Sequence, residues 1–249
     1  MNRELWSRKY FNHDNPSNYP CPFCNTGVLT LKERILSITP YGKDMEYYNY
    51  NNGIDHLFSG ILICKNAECN EIVIISGSCL RDIVIGDEQP DGGYLERRIS
   101  TYYPKFFFPN LKLFPINKTI PKEVKEQINF AFSHYFNDLS SSANRIRNAI
   151  ELILDDLKAP KSRKTKAGKK QTFKTLHSRI EHFSKKNVKI SKLLLALKII
   201  GNEGSHVGNV QNEDILNAFE ILEMLLEFTY QKQHQRILKM ATEIIDKAK

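Results

Sequence analysis

No apolar run in the 249-residue chain comes near the ~20 residues that cross a bilayer; residues 193–197 are typical of the longest. The first six residues, Met1-Asn-Arg-Glu-Leu-Trp6, lack the apolar core that a signal peptide requires. These absences exclude a membrane partner and predict a cytoplasmic protein. There is no internal repeat at 20–50-residue spacing, which excludes solenoids and propellers. Cysteine is scarce and odd in number, at five. In a chain without an export signal, close cysteine pairs suggest metal binding more than a disulfide framework. One absence is local: residues 158–174 contain no acid but eight bases, Lys158, Lys161, Arg163, Lys164, Lys166, Lys169, Lys170 and Lys174. Removing those eight from the 36 Lys and Arg leaves 28 bases against 28 acids. The formal charge of +8 therefore belongs to one segment on a neutral body.

The remainder is ordinary globular composition, 41% hydrophobic and 26% charged, which excludes a disordered tail or a collagen-like chain. Its length allows one large domain or two of roughly 100–200 residues. Two grammars divide it. Residues 27–38, 54–64, 71–76 and 80–85 are short β-branched or aromatic runs between Asn, Gly, Pro and Asp, and read as strands. Residues 94–103 make one more candidate strand. Residues 41–53, rich in Tyr and Asn without a clear period, read as a long connection. From Pro121 onward the period is helical. Helices are expected after Pro121, after a cap at Ser140, Ser141 or Ser142, over 172–185, from 190 to 200, and from Asn212 towards the C-terminus. The predicted class is α+β: a small β domain over 1–112 and an all-α bundle over 113–249, with a basic loop at 158–174.

Cys21-Pro22-Phe23-Cys24 is followed by Cys64 and Cys69. Each pair presents two thiolates from one tight turn, and two such turns complete a tetrahedral four-sulfur shell. Strand-like runs follow both pairs, the order a zinc ribbon needs. Structural Zn2+ on Cys21, Cys24, Cys64 and Cys69 is the reading preferred over four reduced thiols or an iron site. A closed shell leaves no position for catalysis. Cys79 is left over as a small buried hydrophobe. His177 and His182, five apart, are ~140° apart on a helix and do not suggest a second site.

Three motifs carry a resemblance: Lys198-Ile-Ile-Gly-Asn-Glu-Gly-Ser-His206, Arg145-Ile-Arg-Asn-Ala-Ile-Glu151 and Thr175-Leu-His-Ser-Arg-Ile180. With them, residues 113–230 resemble the domain-of-unknown-function family 4145, a helical domain similar to the HEPN superfamily. That family is found attached to restriction subunits and other prokaryotic defence proteins, often behind a cysteine ribbon. Its usual pattern is Arg, two residues, Gly-Asn, then His four residues after the Asn. Here Gly201, Asn202 and His206 stand in place, with Lys198 where Arg is expected. Catalytic HEPN proteins are metal-independent ribonucleases in which a His moves a proton and an Arg steadies the phosphate. The resemblance thus implies His206, Asn202, Lys198 and Arg147 as candidate catalytic residues, with Arg147 supplying the guanidinium that Lys198 cannot imitate. A structural reading stands beside it: Gly201 and Gly204 end a helix, Asn202 bonds nearby backbone and His206 caps carbonyls. The resemblance also implies a homodimer, for which Met224, Leu225 and Phe228 are candidates alongside ordinary core burial.

The basic segment is long for a helix–helix connection and has no apolar anchor except Phe173, so it is expected to be mobile. Its Lys161, Arg163, Lys164, Lys166, Lys169 and Lys170 suit a polyanion bound without sequence readout; a solvated loop or an acidic protein partner fits the same composition. No aromatics interleave, so base stacking is not expected there. The functional expectation is a nucleic-acid-associated binding or adaptor protein, on RNA or DNA, of a defence or restriction-type system. The alternatives are a metal-independent endoribonuclease and a dimerisation module that recruits a defence effector subunit.

Overall fold

The computed structural model describes residues 1–14, 16–48, 53–88, 94–166, 168–184, 187–203, 210–231 and 233–247. The chain divides into two compact units, Glu4–Lys112 and Leu113–Lys249, with Met1–Arg3 belonging to the second. The order is mixed: an antiparallel five-stranded sheet, then helices.

After the short helix α1 (Arg3–Ser7), the sheet unit runs β1 (Tyr19–Pro20), β2 (Val28–Ile38), α2 (Pro40–Tyr47), β3 (Ile54–Cys64), β4 (Ile72–Glu88) and β5 (Tyr94–Phe108). The sheet order is that of the sequence, β1 to β5. Along β3, Ile54, His56, Phe58, Leu62 and Cys64 are buried, which is the period of two that places alternate side chains on one face. Cross-strand neighbours extend that face: Cys79 lies opposite His56 on β3 and Tyr102 on β5, and Ile75 lies opposite Phe107. Phe11, Phe58 and Tyr102 form an aromatic cluster there, with centroid separations of 4.9–6.2 Å.

The sheet unit differs from the expected strands and connection. Residues 71–76 and 80–85 are not two strands but parts of β4, which continues through Gly77-Ser-Cys79. Gly77 marks a bulge rather than a turn: a Cβ there would stand 2.2 Å from the Tyr103 carbonyl oxygen on β5. Residues 41–53 are not a simple connection, because Pro40–Tyr47 forms α2. Thr39 caps it, its hydroxyl accepting from the Gly42 N–H at 3.0 Å, and Pro40 supplies a pre-set first turn.

The helical unit contains α3 (Lys122–His134), α4 (Leu139–Asp156), the strand pair β6 (Ser162–Lys164) and β7 (Lys170–Thr172), α5 (Leu176–Ser184), α6 (Val188–Glu203), α7 (Asn212–Tyr230) and α8 (Gln233–Lys247). Helix α4 is central, packing on α3, α6 and α7. Ile146, Ala149, Ile150, Ile153 and Leu154 recur at three and four residues, and all are buried. Phe114, Phe132, Tyr135 and Phe219 fill the space around them with tilted and edge-on ring contacts. Leu225 belongs to this core, whereas Met224 and Phe228 are exposed. The chain start is held against α7: the Met1 ammonium bonds Glu223 at 2.5 Å, and Arg3 reaches Glu220, Asn217 and Glu213.

Asp138, not one of the serines after it, caps α4, accepting from the Ser141 N–H at 2.9 Å and from its hydroxyl. The helix ends in a Schellman arrangement: Lys158 has φ 54°, the Ala159 N–H donates to the Leu154 carbonyl and the Lys158 N–H to that of Asp155. Next comes the largest departure from expectation. The basic segment is a β-hairpin rather than a structureless loop, with Ser162, Arg163 and Lys164 paired to Thr172, Gln171 and Lys170. Gly168, at φ 75°, takes part in its turn. The pairing consumes backbone groups, so it needs no apolar side chain. An acid outside the segment completes it: Asp155 bonds Lys161 at 2.9 Å and Arg179 at 2.6 Å. Burial opposes charge on Asp155, but those two cations hold its carboxyl below the usual range. The third helix accordingly starts late, at Leu176, with the Thr175 hydroxyl accepting from the Ser178 N–H.

Bonds from the Ser141 hydroxyl and N–H hold the Asp138 carboxyl below its usual range. That contribution is complete above the unfolded carboxylate pKa of about 4 and fades as pH falls through the lower folded value. Asp138→Ala is expected to lower unfolding stability by about 1 kcal/mol at pH 7. The difference from wild type, measured by urea denaturation, is expected to shrink progressively below about pH 4.

Candidate metal centre and a polar cleft

Both cysteine turns follow one plan. In the first, the Asn25 N–H donates to the Cys21 carbonyl at 3.0 Å, and the Cys21 N–H donates to the Gly27 carbonyl at 2.9 Å. In the second, the Asn70 N–H donates to the Asn66 carbonyl at 3.0 Å and the Cys64 N–H to that of Glu71 at 2.9 Å. The residue after each second cysteine, Asn25 or Asn70, is left-handed, with φ 58° and 46°. Asparagine tolerates that conformation best among side-chain-bearing residues. The Asn66 side-chain amide links the turns by donating to the Thr26 hydroxyl at 3.3 Å.

These turns bring the four sulfurs of Cys21, Cys24, Cys64 and Cys69 within 4.8 Å of one another. The Cys21–Cys69 and Cys24–Cys64 sulfur separations are both 3.8 Å. A tetrahedron with metal–sulfur bonds of about 2.3 Å has an edge of about 3.8 Å, so the shell has the size such an ion requires. The spacing is too long for disulfides, and all five cysteines are free. Cys79 is buried outside the cluster. Among the described residues, this is the one group of three or more such side chains placed to hold a metal ion.

The electrostatics of the shell are uneven. The Thr26 hydroxyl, then the Thr26 and Gly27 N–H groups, stabilise the Cys24 thiolate and bring its pKa down to about 5. Burial pushes Cys64 up to about 12. Four thiolates at this separation repel one another unless a cation sits between them, and a divalent ion supplies that charge. Gly27, which spacing alone did not single out, is part of the fit. A Cβ there would stand 2.3 Å from the Cys64 sulfur and 2.9 Å from the Asn66 Cβ. Only a residue without a side chain lets the first turn close on the second.

In the helical unit, Arg147 on α4 and Lys198 and Asn202 on α6 line one open cleft of about 750 Å³. His206, the fourth candidate there, lies outside the described residues. Gly201 explains the close approach of α4 and α6, since its Cβ would come within 3.0 Å of the Arg147 Cβ and 3.4 Å of the Ala143 carbonyl. Arg147 is 3.8 Å from Glu151, one turn on. The exit of the basic hairpin completes the cleft with Lys174 and Thr175, and the start of α5 with His177. Helical spacing passed over His177 because it asked only about one helix face. Three elements meet at this residue, and its place directly after the basic segment was the available signal. The hairpin cations Lys161, Arg163, Lys164, Lys166, Lys169 and Lys170 are all exposed. Lys161 is engaged with Asp155, and the Arg163 Nε donates to Gln171 at 3.2 Å.

Residues 129–248, covering most of the helical unit, match the family model described as a domain of unknown function (DUF4145). Residues 9–107 match a second domain of unknown function (DUF8608). No curated protein matches the chain, and no solved structure does.

Gly27→Ala is expected to weaken metal binding by roughly 10–100-fold, the usual cost of disturbing the groups that support a ligand. Metal content by elemental analysis and competition with a chromogenic chelator will measure it. Wild-type affinity in Gly27→Ala would show that the shell does not close as described.

Proposed function

We propose that the protein is a nucleic-acid-associated binding or adaptor protein of a prokaryotic defence or restriction-type system. In this reading a structural Zn2+ on Cys21, Cys24, Cys64 and Cys69 holds a zinc ribbon, and the helical unit is a HEPN-like bundle that works as a homodimer in the cytoplasm. One observation carries it: Arg147 from α4, Lys174 from the hairpin exit, His177 from α5, and Lys198 and Asn202 from α6 line one cleft beside the basic hairpin. Three cations against the single carboxylate of Glu151 suit a phosphate backbone, and Arg147 can grip two phosphate oxygens at once. The hairpin cations extend the positive surface without reading sequence. The match of residues 129–248 to a domain of unknown function (DUF4145) agrees with the resemblance from which the defence context is inferred.

Binding is preferred to catalysis because Lys198 occupies the position where the family pattern has Arg. A ribonuclease is the second reading, favoured by an imidazole, His177, in the same cleft as two candidate cations. There a histidine would take the proton of an RNA 2′-hydroxyl as that oxygen attacks the phosphorus, and the 5′-oxygen would leave with a proton. The dimerisation module becomes the leading reading if neither RNA nor DNA binds at low salt.

Purified protein is expected to contain one zinc per chain and to retard single-stranded RNA or DNA in gel-shift assays. Replacing residues 161–170 by a neutral linker should weaken binding and flatten the dependence of log K on log salt by about 0.7 for each phosphate that is no longer neutralised. Arg147→Gln should weaken binding about tenfold or more with unchanged thermal unfolding. Retention of binding at high salt by both variants would overturn the proposal. RNA cleavage abolished by His206→Ala or by His177→Ala would replace it with the ribonuclease.

A further inference from the structure

The sheet unit contains a cleft of about 470 Å³ that neither the metal centre nor the helical cleft accounts for. Its walls are residues 11–14, 16 and 17, β2 at Thr30, Leu31 and Arg34, and β5 at Arg98 to Ser100 and Tyr102. β2 and β5 are separated by two strands in the sheet, and the N-terminal segment joins β5 through paired backbone bonds between Phe11 and Tyr102. The floor is aromatic. Phe11 stacks on Tyr102 at 4.9 Å and 16°, with apolar Leu31 and Ile99 alongside.

Three polar features stand over that floor. Arg34 projects from the face of β2 that carries Leu36 opposite Phe58, and its guanidinium lies 5.7 Å from the centre of the Tyr102 ring. Arg98 enters from β5, and among the described residues neither arginine is in an ion pair. Tyr102 is only 5% exposed, and its hydroxyl, beside the Ser100 side chain, makes no hydrogen bond of normal length. A buried hydroxyl in that condition is unfavourable unless something answers it. Asp14, also at the cleft, contacts His13 at 3.2 Å and pairs with neither arginine.

An apolar floor, two guanidiniums and a hydroxyl without a hydrogen bond of normal length, converging on a space of small-molecule size, describe a ligand with a flat body and an anionic head. The flat body lies against the Phe11 and Tyr102 region, and the head takes the forked donors of Arg34 and Arg98. We infer that this cleft binds a nucleoside phosphate, independently of the helical cleft. The base supplies the planar face, the phosphate answers the two guanidiniums, and an acceptor on the ligand satisfies the Tyr102 hydroxyl.

The test is calorimetric titration of the full-length, zinc-loaded protein with AMP, GMP, CMP and UMP, and with inorganic phosphate for comparison. At least one nucleotide is expected to saturate one site per chain with Kd below about 1 mM, and inorganic phosphate to bind at least about tenfold more weakly. Arg34→Gln and Arg98→Gln should each weaken that nucleotide about tenfold. Tyr102→Phe keeps the ring stack, so it should weaken binding several-fold without lowering the temperature of thermal unfolding. Arg147→Gln and the neutral-linker hairpin variant should bind the nucleotide as wild type does. Absence of saturable binding for all four nucleotides would overturn the inference, as would equal affinity for inorganic phosphate or indifference to both arginine substitutions. Loss of nucleotide binding in Arg147→Gln would move the ligand to the helical cleft and also overturn it.

Discussion

Four sulfurs within 4.8 Å constrain more of the sheet unit than any other contact in it. Cys21 and Cys24 lie just before β2, Cys64 is the last residue of β3, and Cys69 comes shortly before β4. Closing the shell therefore joins the ends of three neighbouring strands. The pairing of Leu29 with Cys64 follows from it, and that register puts Leu29, Leu62 and Val73 on the buried face. A slip of one residue would turn those side chains outwards and separate the sulfurs. Gly27 is the narrowest point of the arrangement, because the second turn occupies the volume a side chain there would need.

The helical unit rests on a different constraint, the burial of α4 on several sides. Its apolar residues face α3, α6 and α7, leaving Arg147 and Glu151 at the margin where α6 crosses. Gly201 brings that crossing close, so the residue that permits packing also sets the width of the polar cleft. Asp155, near the end of the same helix, ties the base of the basic hairpin and the start of α5 through Lys161 and Arg179. Core and cleft thus share one helix, and the hairpin's cations are presented from a paired scaffold. A paired scaffold loses less conformational entropy on meeting a polyanion than a mobile loop would.

Elements whose signal is local were legible in the sequence. The strand β3 matches its apolar alternation from Ile54 to Cys64, and the helical period of 146–154 matches the buried face of α4. The cysteine pairs were legible because two ligands from one turn must be close in sequence. Expectation and structure part where one residue type serves two geometries. Gly77 suggested a turn but makes a bulge inside a continuous strand, and Ser140 to Ser142 suggested a cap that Asp138 provides. The side chains of the basic segment suggest a mobile loop, whereas its hairpin is held by backbone groups that composition does not reveal.

By itself, the sequence determined the α+β order, the four-thiol ligand set and the confinement of excess charge to residues 158–174, since each depends on spacing or composition along the chain. Tertiary structure alone decided that Gly27 must lack a side chain, that His177 joins Arg147 and Lys198, and that Arg34, Arg98 and Tyr102 meet at one cleft. Those groupings come from separate elements, and proximity between distant segments is created only when the chain packs. The charge shows the same division. Its amount is a property of the sequence, while its presentation on a paired hairpin anchored by Asp155 is a property of the fold.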